Sequence, residues 1–285
     1  MIKVISPGFY TSVQDLGRFG YGDMGVPCSG VLDSHSAQLA NQIIGNNKND
    51  SLLEITLSKC VLKFEKQIII CISGANLSAK INDNIVELNK PIQVAEKDIL
   101  SFGKPVLGVR AYLAVKGGIQ TPKVFGSRSF YQSITEQFRI KKNDCLPFLE
   151  LKGDKSIKNA SVKFDESHFT DMNLLVYPGP EYDLLKHEQK NQLKKLVFTI
   201  SNDNSRMGYR LEGLIENELP FMLTSAVLPG TVQLTPSGKL IVLMRDCQVT
   251  GGYPRVLQLS EQAINRLAQK STGDKIQFRF EHLDW

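Results

Sequence analysis

The stretch from Cys60 to Val115 reads CVLKFEKQIIICISGANLSAKINDNIVELNKPIQVAEKDILSFGKPVLGVRAYLAV. Its apolar residues fall in short runs at 61–64, 68–72, 77–81, 85–88, 92–95, 99–102 and 109–115, each closed by turn-forming residues. Runs this short are strands rather than helices, and their close spacing makes the strands antiparallel. Asn82-Asp83-Asn84 suits a hairpin tip, because Asn and Asp tolerate left-handed backbone angles. Similar runs return at 174–177, 197–200, 231–234, 240–244, 256–259 and 275–280. The expectation is a mainly β protein with a few helices, built as two β-barrel or sandwich lobes.

Internal echoes support two lobes. Arg18-Phe19-Gly20-Tyr21 is matched by Arg206-Met207-Gly208-Tyr209, and the segment 118–122 loosely resembles 230–236. Asp98, Asp144 and Asp274 each stand before a short strand that carries a Phe at 102, 148 or 278. The charged segment 151–171, poor in large apolar residues, reads as a linker between a first lobe at 1–150 and a second at 172–285. Three helices are expected. One is capped by Asp33 and runs to about Ile44, one covers Glu181 to Leu196, and one follows a Ser260 cap to about Gln269.

Composition narrows the function. The net charge of +5 comes from basic and acidic residues spread along the chain, without the basic stripe and interleaved aromatics of a nucleic-acid binder. No apolar run reaches the length of a bilayer span and no leader pattern opens the chain, so a cytoplasmic protein is expected. The five cysteines show no C-x-x-C spacing and the four histidines no metal-ligand spacing, so no metal is expected and each histidine reads as a surface or capping residue.

Three clusters can carry chemistry. The first runs from Ser12 to Asp33, where Gly17, Gly20, Gly22, Gly25 and Gly30 let backbone approach a ligand and Asp15, Arg18 and Asp33 add charge. The second is Ser205 to Gly213. As a strand it would point Arg206, Gly208 and Arg210 to one face, a floor on which paired guanidinium groups could hold a carboxylate or amide. The third follows the apolar run 240–244 with Arg245 and Asp246 and continues to Gly251-Gly252-Tyr253. A carboxylate at a barrel mouth can serve as a base, and adjacent glycine amides can stabilise an oxyanion. The plainer reading is that Asp15 pairs with Arg18, Arg245 with Asp246, and Glu212 with one of the second cluster's arginines. No phosphate loop, dinucleotide fingerprint or serine nucleophile elbow is present.

Over nearly its whole length the chain resembles the family of the C component of 5-oxoprolinase, also described as allophanate hydrolase subunit 2 or the biotin-dependent carboxyltransferase family. The resemblance rests on Ser12 to Gly30 with Asp33, Leu53 to Thr56, Tyr112 to Gly118, Gly126 to Ser129, Tyr177 to Pro180, Ser205 to Gly213 and Arg245 to Pro254. The chain departs from the pattern at 140–144, where a Gly-Asp turn is usual, and at Phe130, where Thr is common.

The resemblance implies two cyclophilin-like β-barrel lobes and a heteromeric complex. That complex would include a Kip-type homologue as its B component and a LamB/YcsF-type protein as its A component, and would open 5-oxoproline to glutamate with ATP bound at the level of the complex. The alternative it implies is a carboxyltransferase that moves a carboxyl group from carboxybiotin to a urea-like amide; a regulatory antagonist of the Kip-type partner is a third reading. In this frame Asp246 and Arg206 are the catalytic candidates. The binding wall is assigned to Asp15, Arg18, Asp33, Glu54, Tyr209, Arg210, Gly251, Gly252 and Tyr253, with the three clusters expected around one pocket.

Overall fold

The computed structural model describes residues 1–149, 162–163, 165–219 and 222–281. Contacts divide the chain into two units, Met1–Arg18 with Ser29–Phe169 and Phe19–Cys28 with Thr170–Trp285. The glycine-rich segment Phe19–Cys28 thus groups with the second unit, although it lies within the first of the two sequence spans. The segment read as a linker falls largely outside the described residues. At its end Ser167–Thr170 forms a helical turn that buries Phe169.

The first unit holds two sheets. One orders its strands Cys145–Leu146, Ile2–Pro7, Cys60–Phe64, Ile99–Ser101, Lys80–Ile81 and Asn84–Ile85. The other orders them Tyr10–Gln14, Leu52–Thr56, Leu107–Val115, Ile68–Asn76 and Ile92–Val94. Both sheets give side chains to one core, in which Ile2, Leu62 and Leu100 meet Leu53, Ile72 and Leu113.

Alternation along Leu107–Val115 sends Ala111, Leu113 and Val115 into that core and Tyr112 and Ala114 to the opposite face. The helix Ser34–Ile43 covers that second face with Ala37, Ala40 and Ile43. A strand buried on both faces must be apolar at nearly every position, which is why 111–115 reads as an unbroken run, with Arg110 before it buried against Glu54. Asp33 caps the helix, its carboxylate accepting from the Ser36 amide at 3.1 Å.

The second unit is a closed seven-stranded barrel. Around the ring run Asn173–Pro178, Arg255–Leu259, Thr231–Leu234, Leu240–Leu243, Gly208–Glu212, Val197–Asn204 and Lys275–Phe280. A closed ring with an odd number of strands cannot be antiparallel throughout, and here Asn173–Pro178 and Lys275–Phe280 close it in parallel. Glu261–Leu267, capped by Ser260, packs on Asn173–Pro178, and His187–Lys195 packs on Lys275–Phe280.

Two expectations need correction. The helix read across Glu181 to Leu196 is two pieces, a 3-10 turn at Tyr182–Leu184 and an α-helix at His187–Lys195. Leu185 and Lys186 between them are extended, and Gln189 Oε1 accepts from the Lys186 amide at 2.6 Å to start the helix afresh. The run at 77–81 keeps only Lys80–Ile81 as strand, because Ser78 takes a positive φ of 51° and its amide turns to Asn76 Oδ1. Conversely, Ile2–Pro7, Tyr10–Gln14 and Leu52–Thr56 are strands that apolar runs alone do not single out, since Ser6, Ser12, Gln14 and Glu54 interrupt them.

The Asp echoes have a common physical basis. The carboxylates of Asp98, Asp144 and Asp274 accept from the backbone amides three residues earlier, Ala95, Lys141 and Ser271, at 2.8, 2.7 and 2.7 Å. The residue before each Asp is left-handed: Lys97 at 75°, Asn143 at 71° and Gly273 at 88°. Asn143 therefore takes the backbone shape that the usual glycine supplies, so the departure at 140–144 leaves the turn intact.

Gly179 marks the tightest crossing in the barrel unit. A Cβ there would stand 2.9 Å from the Leu257 amide nitrogen and closer still to the Arg255 carbonyl, both of them backbone. Gly179→Ala should destabilise the protein by about 3 kcal/mol or more. Gly252→Ala, which meets nothing within 4 Å, should stay within about 0.5 kcal/mol. Thermal or denaturant unfolding of both variants checks this, and equal stability would contradict the crossing.

Candidate functional site

In the second unit, Gly208–Glu212 pairs with Leu240–Leu243 so that Gly208 faces Leu243 and Arg210 faces Ile241. The pairing continues beyond both strands: the Met244 amide donates to the Met207 carbonyl and the Asp246 amide to the Arg206 carbonyl, each at 2.9 Å. This brings Arg206 and Asp246 side by side. Arg206 Nε donates to Asp246 Oδ2 at 2.8 Å and Nη2 to Oδ1 at 3.0 Å, and both residues are 8% exposed. A guanidinium fork that meets both oxygens of a carboxylate is among the strongest hydrogen-bonded pairs available to side chains.

After Asp246 the chain turns through Cys247 to the short strand Thr250–Gly251, which pairs with Ser225–Ala226. Gly252 and Tyr253 follow, with Tyr253 exposed. The glycine-rich segment Phe19–Cys28 belongs to the same unit, and Gly22 lies against Val249. The second and third clusters thus meet through one ladder.

The expected floor of Arg206, Gly208 and Arg210 does not form. The strand begins at Gly208, so Arg206 lies beyond it and turns inward to Asp246, while Arg210 faces outward and pairs with Asp203. Glu212 is likewise on the outer face, and Arg210 is answered by Asp203 in its place. Alternation sends Tyr209 inward, fully buried, with its hydroxyl directed to the Lys270 carbonyl, so it packs the barrel instead of facing a ligand. The rim pair read between Arg245 and Asp246 is also re-sorted, since Arg245 pairs with Glu261 and Asp246 with Arg206.

In the first unit the predicted charges are held by backbone and hydroxyls. Asp15 Oδ1 accepts from the Gly17 amide, Ser127 Oγ and Ser129 Oγ at 2.8, 2.6 and 2.7 Å, and Oδ2 accepts from the Arg128 amide at 2.7 Å. Arg18 is buried and donates to the Ser129 carbonyl. Together they bind the 127–129 segment to the first cluster.

Asp33 and Glu54 sit in a buried polar network behind the helix. Glu54 Oε2 accepts from the Leu32 amide at 2.7 Å and from Tyr112 Oη at 3.0 Å, and Arg110 Nε stands 4.0 Å from Oε1. Tyr112 Oη in turn accepts from the Asp33 amide at 2.8 Å. Burial drives the Tyr112 phenol well above its ordinary pKa, and the Glu54 and Asp33 carboxylates push it further, so Tyr112 remains a proton donor. These contacts place Glu54 and Asp33 in the support of the fold.

Sequence reading missed His168. It is only partly exposed: its Nε2 lies 2.8 Å from the buried Asp33 Oδ2, and its ring centroid is 5.4 Å from that of His35, the two rings tilted by 43°. The partners are 135 residues apart, so no local spacing announces them.

The first unit also carries a polar cavity of about 380 Å³, with Asp15, Asp50, Lys123 and Arg128 in its wall. Gln120 is pinned there, donating to the Gly117 carbonyl at 2.8 Å and accepting from Arg128 Nη2 at 2.6 Å. Among the described residues no helix is long and apolar enough to cross a membrane.

Two β units, one a closed barrel and the other two sheets around a shared core, define a fold of cyclophilin-like lobes. The chain belongs to the family of the carboxyltransferase domain, subdomains A and B, whose pattern it matches over residues 24–280. It is 36% identical to the C component of 5-oxoprolinase from Escherichia coli over 98% of this chain and 90% of that one. It superposes on the crystal structure of TTHA0988 with a TM-score of 0.88 at 27% identity, covering 98% of this chain and 55% of that chain. Against the Kluyveromyces lactis urea amidolyase structure the TM-score is 0.84 at 30% identity, over 97% of this chain and 18% of that one. The chain therefore spans most of its bacterial relative, but about half of the TTHA0988 chain and under a fifth of the amidolyase.

The three buried thiols are poor nucleophiles. Burial pushes Cys60, Cys71 and Cys247 each up to about 12, which leaves them protonated at neutral pH. Iodoacetamide at pH 8 should label exposed Cys145 and spare those three until the protein unfolds, as read by peptide mass mapping. Labelling of Cys247 in the folded protein would contradict this and make a covalent thioester route available.

Proposed function

We propose that this chain is the C component of a 5-oxoprolinase, acting within a heteromeric complex that opens 5-oxoproline to glutamate with ATP. The observation that carries the reading is the match to the Escherichia coli C component, which runs nearly end to end through both chains. Ring opening at a lactam needs its carbonyl polarised and its nitrogen protonated as the bond breaks. Phosphoryl transfer from ATP to the amide oxygen, releasing ADP, would supply the activation; water then adds at the carbon, the C–N bond breaks as nitrogen takes a proton, and the phosphoryl group leaves as inorganic phosphate, with the nucleotide held at the level of the complex. The partners are a Kip-type B component and a LamB/YcsF-type A component, and the chain alone is expected to be inactive.

Within this reading Arg206 and Asp246 are the reacting pair. The fork between them fixes the guanidinium plane, so Arg206 can present charge to a substrate carboxylate or to an oxygen that gains negative charge without first reorganising. Asp246 orients Arg206 through both of its oxygens and is the group assigned, within this reading, to the proton on the amide nitrogen. Gly251, Gly252 and Tyr253, at the end of the same loop, complete the proposed wall. Tyr209 and Arg210 leave it, because one is core and the other a surface ion pair. Asp15 and Arg18 are assigned instead to the 127–129 segment of their own unit.

A second reading has its own support. The likeness to the Kluyveromyces lactis urea amidolyase favours carboxyl transfer to a urea-like amide, with biotin as the carrier on a partner. Both reactions place negative charge on a small amide, so the same fork would serve either.

The test is ATP-dependent glutamate release from 5-oxoproline by the reconstituted complex. Arg206→Lys and Asp246→Asn should each lower turnover by about tenfold to a hundredfold, the loss expected for one charge-assisted contact. Melting temperatures would confirm that both variants fold. Near-normal turnover in either would refute the assignment. Carboxylation of urea by the complex, with no glutamate released, would replace the first reading with the second.

A further inference from the structure

The polar cavity of the first unit has a wall unlike that of a site for lactam, nucleotide or peptide. Among the described residues its one large apolar side chain is Leu149. Its formal charges are of both signs, with Asp15 and Asp50 against Lys123 and Arg128. A volume of about 380 Å³ is near the lower end of the roughly 300–1,000 Å³ of ligand pockets, which suits a metabolite of amino-acid size.

The wall is set before any ligand arrives. Arg128 is tied through Nη2 to Gln120 and through Nη1 to the Thr121 carbonyl, and Asn49 Oδ1 accepts from the Leu16 amide at 2.9 Å. Asp15 is already met by four donors, so it holds the 127–129 segment and contributes little to a ligand. Asp50 Oδ2 accepts from the Asn47 amide at 2.9 Å, which leaves Oδ1 for a cation. Lys123 is exposed and makes no ion pair among the described residues.

We propose that this cavity binds a free α-amino acid. Lys123 and Arg128 take the carboxylate and Asp50 takes the ammonium. A polyphosphate would set its charge against Asp50, and a neutral lactam would leave Asp50 without a cation, so the zwitterion is the ligand class that answers both halves of the wall. The inference stands on the cavity alone and holds whichever amide the complex acts on.

Binding to the full chain, followed by calorimetry and ligand-observed NMR, separates these cases. L-glutamate and glutarate differ by the ammonium group, and 5-oxoproline lacks it too. L-glutamate should bind saturably and at least about tenfold more tightly than either. Asp50→Asn keeps an oxygen for the Asn47 amide but removes the charge, and should erase that preference; Lys123→Met should weaken L-glutamate and glutarate together. The inference is overturned if L-glutamate does not saturate, if glutarate or 5-oxoproline binds as well, or if Asp50→Asn leaves the preference intact. No turnover is measured, so the outcome is separate from that of the 5-oxoprolinase assay.

Discussion

A guanidinium and a carboxylate taken out of water together must each recover several kcal/mol of lost hydration, and only a close, two-point geometry does so. Arg206 and Asp246 meet that condition because the ladder between Gly208–Glu212 and Leu240–Leu243 runs on past its own strands. One register error in the barrel would move every side chain of the slipped strand to the other face and part the pair. The candidate chemistry in this unit thus depends on barrel closure, including the parallel joint between the first and last strands of the ring.

The first unit uses charge differently. Asp15 is spent on the 127–129 segment, and Glu54, Tyr112 and Asp33 form a chain of hydrogen bonds between a sheet and the start of a helix, joined by His168. All of these groups are polar, all but the partly exposed His168 are buried, and each has a partner distant in sequence. Such networks fix a single arrangement because any alternative strands a buried charge. Among the described residues, Asp50, Lys123 and Arg128 in the cavity wall are the charges of this unit that the proposed ligand would meet.

Much of this was legible in the sequence, for physical reasons. Short apolar runs located most central strands, because those strands are buried on one or both faces. Asp98, Asp144 and Asp274 were legible as repeats, because each carboxylate closes its own local turn. Asp33 and Ser260 read correctly as caps for the same local reason. Strands Ile2–Pro7 and Tyr10–Gln14 were hidden by polar residues that find partners elsewhere in the fold. The break at Leu185 was hidden because it comes from one side chain, Gln189, bonding backward. The candidate site was legible as composition and misread as geometry. Arg206 and Asp246, read as separate candidates, form one bonded pair; Arg210 was set beside Arg206 on the assumption that the strand began two residues early, and Tyr209, assigned to the binding wall, is turned into the barrel by alternation. His168 gave no signal, because nothing near it in sequence shows that Asp33 awaits it. Pairings between distant residues are set by topology, and topology is what a single sequence conveys least.

The central claim is that the Arg206–Asp246 pair is retained for chemistry and not for stability. Replacing both together, Arg206→Met with Asp246→Leu, removes the charges while keeping the volume, a change that buried pairs often tolerate without loss of folding. The account predicts a double variant that melts close to the parent and assembles with its partners, yet releases no glutamate from 5-oxoproline. A folded double variant with parental turnover would contradict it.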